Sequence, residues 1–132
     1  MFSPDGRWIA FTSDESGHYE MCVRSASGGG ERWQVSVGGE EPVWSADGRE
    51  LFYRDGSRWM AVAITTADGF QSGQPRLLFE GPYLNVSGRS FDVSPDGRRF
   101  LVLRPAGEQS PPTQVNLVTN WFEELRRRVP AR

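Results

Sequence analysis

Phe2-Ser3-Pro4-Asp5-Gly6-Arg7 returns as Trp44-Ser45-Ala46-Asp47-Gly48-Arg49 and again as Val93-Ser94-Pro95-Asp96-Gly97-Arg98. The copies start 42 and 49 residues apart. An internal period in the forties marks stacked copies of one small unit, and a unit of that size cannot bury a core by itself. The residue types specify a hairpin connection. Ser3, Ser45 and Ser94 can bond the turn backbone, Pro4 and Pro95 preset φ, and the Asp5-Gly6, Asp47-Gly48 and Asp96-Gly97 pairs tolerate positive φ. Ala46 stands where the other copies carry proline, so proline assists the turn without being required.

Outward from each turn lies an apolar run of strand type: Trp8-Ile9-Ala10-Phe11-Thr12, Leu51-Phe52-Tyr53 and Phe100-Leu101-Val102-Leu103. These runs are short, aromatic or β-branched, and bounded by turn residues. Farther on, Gly17 to Val23 aligns with Gly56 to Val62 as a third strand, which places Cys22 opposite Ala61. Trp33 to Val37 and Arg76 to Phe79 read as fourth strands. Four antiparallel strands in roughly 40–45 residues make one propeller blade.

In these residues the chain resembles the blades of TolB-type β-propellers (WD-like, PD-repeat proteins), whose repeats carry a W-S-P-D-G-like turn between the first two strands. The stretch Gln114 to Leu125 also resembles the C-terminal end of propellers appended to bacterial protein kinases and regulators. No kinase motif accompanies it. The expected fold is all-β: three four-stranded antiparallel blades, approximately 1–39, 40–82 and 83–120, forming half of a six-bladed propeller within one partial domain spanning 1–132. Strands are expected at Arg89 to Val93, Arg99 to Leu103 and Gln114 to Val118. Trp121, Phe122, Leu125 and Val129 fall at helical spacing, so a short C-terminal helix is expected over about 120–129. It would cover the open edge of the third blade or a neighbouring subunit.

Propeller rings close with about four to eight blades, so three leave two apolar flanks uncovered. A homodimer completing a six-bladed ring is the expected solution, since two-fold symmetry is the commonest. A fragment of a longer propeller is the alternative.

Bulk properties narrow the functions. The chain has 132 residues, 17 acids and 15 bases, for a net charge of −2. Such a balance gives no general attraction to nucleic acid or membrane, and neither is expected as a partner. Every basic residue is Arg, for which composition offers no physical reason. A single cysteine excludes an intramolecular disulfide framework, and Cys22 reads as a buried apolar residue. No apolar run is long enough to span a bilayer and no signal-peptide pattern begins at Met1, so the expected location is the cytoplasm, or the periplasm for a longer exported parent.

Few residues suggest chemistry. His18 is the only histidine and is expected to be an exposed loop residue, because catalysis needs an orienting partner and a nucleophile. Asp14, Glu15 and Gly17 lack the alternating oxygen ligands of a calcium loop and read as a polar hairpin. Gly28-Gly29-Gly30 has no following helix or lysine, so it reads as a flexible loop, and Pro105 to Pro112 as a stiff surface connection. No cofactor or metal is implied. Glu40 and Glu41 precede the innermost strand of the second blade, and Arg89 and Ser90 occupy the same place in the third. In a propeller these positions face the mouth of the central channel, as a solvated rim or a polar ligand ring. The candidate binding residues are therefore Glu40, Glu41, Tyr83, Asn85, Arg89 and Asp92.

The expected function is a non-catalytic scaffold for a protein or peptide, in line with the resemblance. One alternative is a lactonase-like, metal-dependent hydrolase with Glu41, Asp92 and Asn85 as oxygen donors. The other is a sensor or regulatory part of a longer protein.

Overall fold

A computed structural model describes residues 1–86 and 88–105. Everything described is β-structure and connections, arranged as three antiparallel sheets in chain order. The first contains β1 (Trp8–Ser13), β2 (Glu20–Ser25) and β3 (Arg32–Gln34). Ahead of β1, Phe2 bridges to Ile9, and Met1 O accepts the Ala10 amide at 2.8 Å. The second contains β4 (Glu40–Trp44), β5 (Glu50–Asp55), β6 (Arg58–Thr65), β7 (Gln71–Ser72) and β8 (Arg76–Glu80). β7 and β8 follow each other along one edge of β6. The third pairs β9 (Phe91–Val93) with β10 (Phe100–Val102). The expected strand Gln114 to Val118, most of the Pro105 to Pro112 connection and the terminal helix with Trp121, Phe122, Leu125 and Val129 lie outside the described residues.

The repeated hexapeptide forms the same turn in all three places. Gly6, Gly48 and Gly97 sit at φ of 71°, 71° and 70°, the left-handed region that glycine enters without penalty. Their amides donate to the carbonyls of Ser3, Ser45 and Ser94 at 2.9, 3.0 and 2.8 Å. Each serine hydroxyl donates to the aspartate two residues on, at 2.6 Å for Asp5 and 2.7 Å for Asp47, with Ser94 bonded to Asp96 in the same way. Each also accepts the amide five residues on, from Trp8, Glu50 and Arg99. The aspartates take the amides of Arg7, Arg49 and Arg98, each at 3.1 Å. These bonds, the serine hydroxyl first, hold the three carboxyls below their ordinary value.

Strand alternation gives the second sheet two apolar faces. Leu51, Tyr53, Val62 and Ile64 point to the first sheet, where they meet Trp8, Ala10, Met21, Val23 and Val35. Phe52, Trp59 and Ala61 point to the third, where they meet Phe91, Val93, Phe100 and Val102. The second sheet is thus covered on both sides. The crossing into it needs Gly39, at φ 109°, because a β-carbon there would lie 2.4 Å from the Tyr53 ring.

Several details differ from the sequence reading. The fourth strand of the first sheet is only Arg32–Gln34, although Val35 and Ser36 remain buried behind it. The third-sheet strand is Phe91–Val93 rather than Arg89 to Val93. Cys22 is buried as expected but does not correspond to Ala61. It pairs with Phe11 as Met60 pairs with Tyr53, so its counterpart is Met60. The hairpin after β1 spans residues 14–19 and that after β5 only 56–57. Aligning the two glycines slips the register by one, which exchanges the faces.

Candidate functional site

The segments at the start of the three sheets lie close together. Trp44 Nε1 donates to Met1 O at 3.3 Å, and Arg89 Nη2 reaches Met1 Sδ at 3.9 Å across 88 residues of chain. Glu40 and Glu41, expected just before the first strand of the second unit, are part of it: β4 begins at Glu40. Glu41 has φ 58°, and the register with β5 shifts between Glu40 and Val43, so Glu41 sits in a bulge. A left-handed conformation without glycine costs on the order of 1–2 kcal/mol and persists where surrounding contacts enforce it.

Ser90 supplies those contacts. Its amide donates to Glu41 Oε2 at 2.6 Å, and its hydroxyl lies 2.7 and 2.8 Å from the two carboxylate oxygens. Behind Ser90 stands Arg54, only 5% exposed, with Ser90 itself at 2%. Arg54 Nη1 donates to Ser90 Oγ at 3.2 Å and to Leu84 O at 3.1 Å. Its Nε donates to Gly56 O at 2.6 Å and its Nη2 to Tyr83 O at 3.4 Å. The guanidinium also lies 5.2 Å from the Trp59 ring centroid, a cation–π arrangement. Arginine, serine and glutamate thus form one buried polar chain that fastens the segment around residues 83–90 to the second sheet. A buried charge is tolerated on these terms, with its donors satisfied.

The six candidate residues divide between rim and interior. Asn85 Nδ2 donates to Glu40 Oε1 at 2.8 Å, and Arg89 pairs with Asp92 at 3.3 Å, all near the solvent-facing end of the cluster. Glu41 is committed to Ser90. Tyr83 is half-buried, and its ring packs edge-on against Trp59 with centroids 4.9 Å apart. Among the described residues, no group of three or more acid, cysteine or histidine side chains is placed to hold a metal ion. The exposed part of the cluster is a mixed-charge rim of Glu40, Asn85, Arg89 and Asp92, able to donate and accept hydrogen bonds side by side.

Sequence reading missed Arg54 and Ser90 as the centre of the cluster. A signal was present, since Arg54 interrupts an apolar strand at the position held by Thr12 and Leu103 in the other repeats. Away from this cluster, His18 is exposed in the β1–β2 loop as expected, and the Glu15 carboxylate of that loop pairs with Arg32. Burial pushes the Cys22 thiol up. Among the described residues, no helix is long and apolar enough to cross a membrane.

No family model matches the chain. Over 53 residues, 39% of this chain, it is 43% identical to a protein of Sinorhizobium fredii described as the uncharacterized peptidase y4sO, and the matched stretch is 8% of that protein's length.

Proposed function

We propose that the chain is a TolB-like β-propeller scaffold, three blades of a ring that a second copy completes, and that it binds a protein or peptide at the mouth of its inner strands. The observation that carries this reading is the convergence of Met1, Glu40, Glu41 and Arg89 from the segments at the start of three successive sheets. Radial blades bring their first strands together around a channel, and the loops there build the binding face. The threefold turn and the face-to-face stacking of the sheets support the same architecture.

The rim favours an extended peptide. Glu40, Asn85, Arg89 and Asp92 offer carboxylates, an amide and a guanidinium within one surface, which suits backbone amides and side chains of either charge. The test is selection of displayed random peptides on the purified full chain, followed by titration against E40A, R89A and the remote control D68A. Selected peptides are expected to lose about tenfold or more in affinity on the rim variants, on the order of 1.4 kcal/mol, and none on the control. Peptides indifferent to both rim changes would overturn the mouth as the binding face.

The match to part of a peptidase favours a second reading, in which this scaffold is an accessory part of a longer enzyme. Joining the chain to a peptidase domain would then change cleavage of long peptides more than that of short chromogenic ones. Equal effects on both would count against that role.

A further inference from the structure

The repeat register identifies which faces of the molecule are built to receive another sheet. Trp44, Leu51, Tyr53 and Met60 form the face that the second sheet turns to the first. Their counterparts by turn register and strand pairing are Phe2, Ile9, Phe11 and Cys22. These lie on the face of the first sheet away from the second. Phe2 is 62% exposed, and Ile9 and Phe11 line an open cleft of about 480 Å³ floored by β1 and β2.

The opposite end of the stack has the matching feature. Ala10 and Phe52 are the residues that the first and second sheets push into the sheet that follows them, and they are 0% and 1% exposed. Their counterpart in the third sheet is Leu101, which is 72% exposed. One end therefore presents the receiving half of the seam that occurs twice inside the molecule, and the other end presents the inserting half.

The geometry points to a head-to-tail junction in which the Leu101 face of one copy seats on the Phe2–Ile9–Phe11 face of a second copy. Two such junctions close the pair. This rests on the ring reading above and goes further by assigning the two faces and their polarity. The occupant is a second copy because the two faces continue one repeated interface, and both belong to every chain. A two-fold pair of this kind joins unlike faces, whereas a pair built on one face would join Phe2 to Phe2.

Both Phe2 and Leu101 are exposed, so charged substitutions at them leave the buried cores intact. The test is solution mass by light scattering over a dilution series, with wild type, F2E, L101R and an equimolar mixture of the two variants. Wild type is expected at twice the chain mass. Each variant alone is expected as a folded monomer, with its strand circular dichroism retained. The mixture is expected to return to twice the mass, because one junction is then wild type and the other sets opposite charges face to face.

A wild-type monomer at every concentration would overturn the junction. A dimer indifferent to L101R but broken by F2E would overturn the polarity. Masses that climb past two with concentration would overturn closure. A wild-type monomer would also remove the second copy from the ring reading, whereas a dimer that fails the polarity or closure test would leave that reading standing, and none of these results bears on peptide binding at the rim.

Discussion

Between the first and second sheets the contact is made by Trp8, Met21, Val23, Leu51, Tyr53, Val62 and Ile64, an apolar seam in which Trp8, Trp33 and Phe70 cluster at one end. Between the second and third it is made largely by rings. Trp59 stacks on Phe79 with centroids 5.1 Å apart and meets Tyr83 and Phe91 edge-on, and Phe100 joins Phe52 and Phe79. This second seam alone carries a buried arginine. A seam of apolar contacts is held by dispersion contacts that are many and undirected. A seam holding a guanidinium with four acceptors has one geometry in which everything is satisfied. The difference teaches that one repeat unit can be held by apolar contacts on one side and by apolar contacts plus a directed polar network on the other.

The strongest way to break that contrast is to remove the ring at the centre of the second seam. Trp59→Ala is expected to cost about 4 kcal/mol by urea unfolding, against about 3 kcal/mol for Trp8→Ala at the periphery of the first. Equal losses would mean that the two seams are equivalent. Next, Arg54→Met should keep the volume but strip the buried polar chain, at about 3 kcal/mol, because Glu41 and Ser90 then lose their charge partner. Hydrogen exchange should become faster at Phe91–Val93 and stay unchanged in β1 and β2. Faster exchange in both places would show that the arginine serves the whole stack.

Smaller effects belong to the turn, which all three sheets share. Ser45→Ala removes one donor and one acceptor and should cost about 1 kcal/mol, with Ser3→Ala close to it. A large gap between the two would reveal that the seams constrain their turns unequally. Least in size is a pH effect. Asp5, Asp47 and Asp96 titrate below the ordinary 3.8 in the folded chain, so their stabilisation is complete above that value and is lost as pH falls through the lower folded value. Asp47→Asn should therefore make the urea midpoint fall less steeply on acidification from about pH 4. An unaltered slope would remove Asp47 from that account.

Much of the fold was legible because the turn chemistry is local. Ser3, Asp5 and Gly6 bond within a few residues, and that pattern can be read without knowing what lies across the molecule. The strand register around Cys22 was not legible, since it depends on how many residues a loop accommodates. The site was legible in part. Glu40 and Arg89 stand out by opposite charge at equivalent repeat positions, and the structure sets Glu40 beside Asn85 and Arg89 beside Asp92, whereas Tyr83 packs half-buried against Trp59, a contact across the sheet that its local sequence does not announce. Arg54 escaped because two of its four acceptors are backbone carbonyls 29 and 30 residues away and a third is a hydroxyl 36 residues away, which no side-chain pattern announces.

The bulge at Glu41 also bears on synthesis. Its partner Ser90 lies 49 residues farther along the chain. At about 5–20 residues per second, the ribosome delivers that serine some seconds after the glutamate, whereas a hairpin forms in about 1–10 μs. During that interval the second sheet exists with two carboxylates, Glu40 and Glu41, on its edge strand β4. Bends and charges on a strand discourage pairing with other chains. The carboxylate that later receives Ser90 thus gives the nascent second sheet a charged edge while the rest of its seam is still being made.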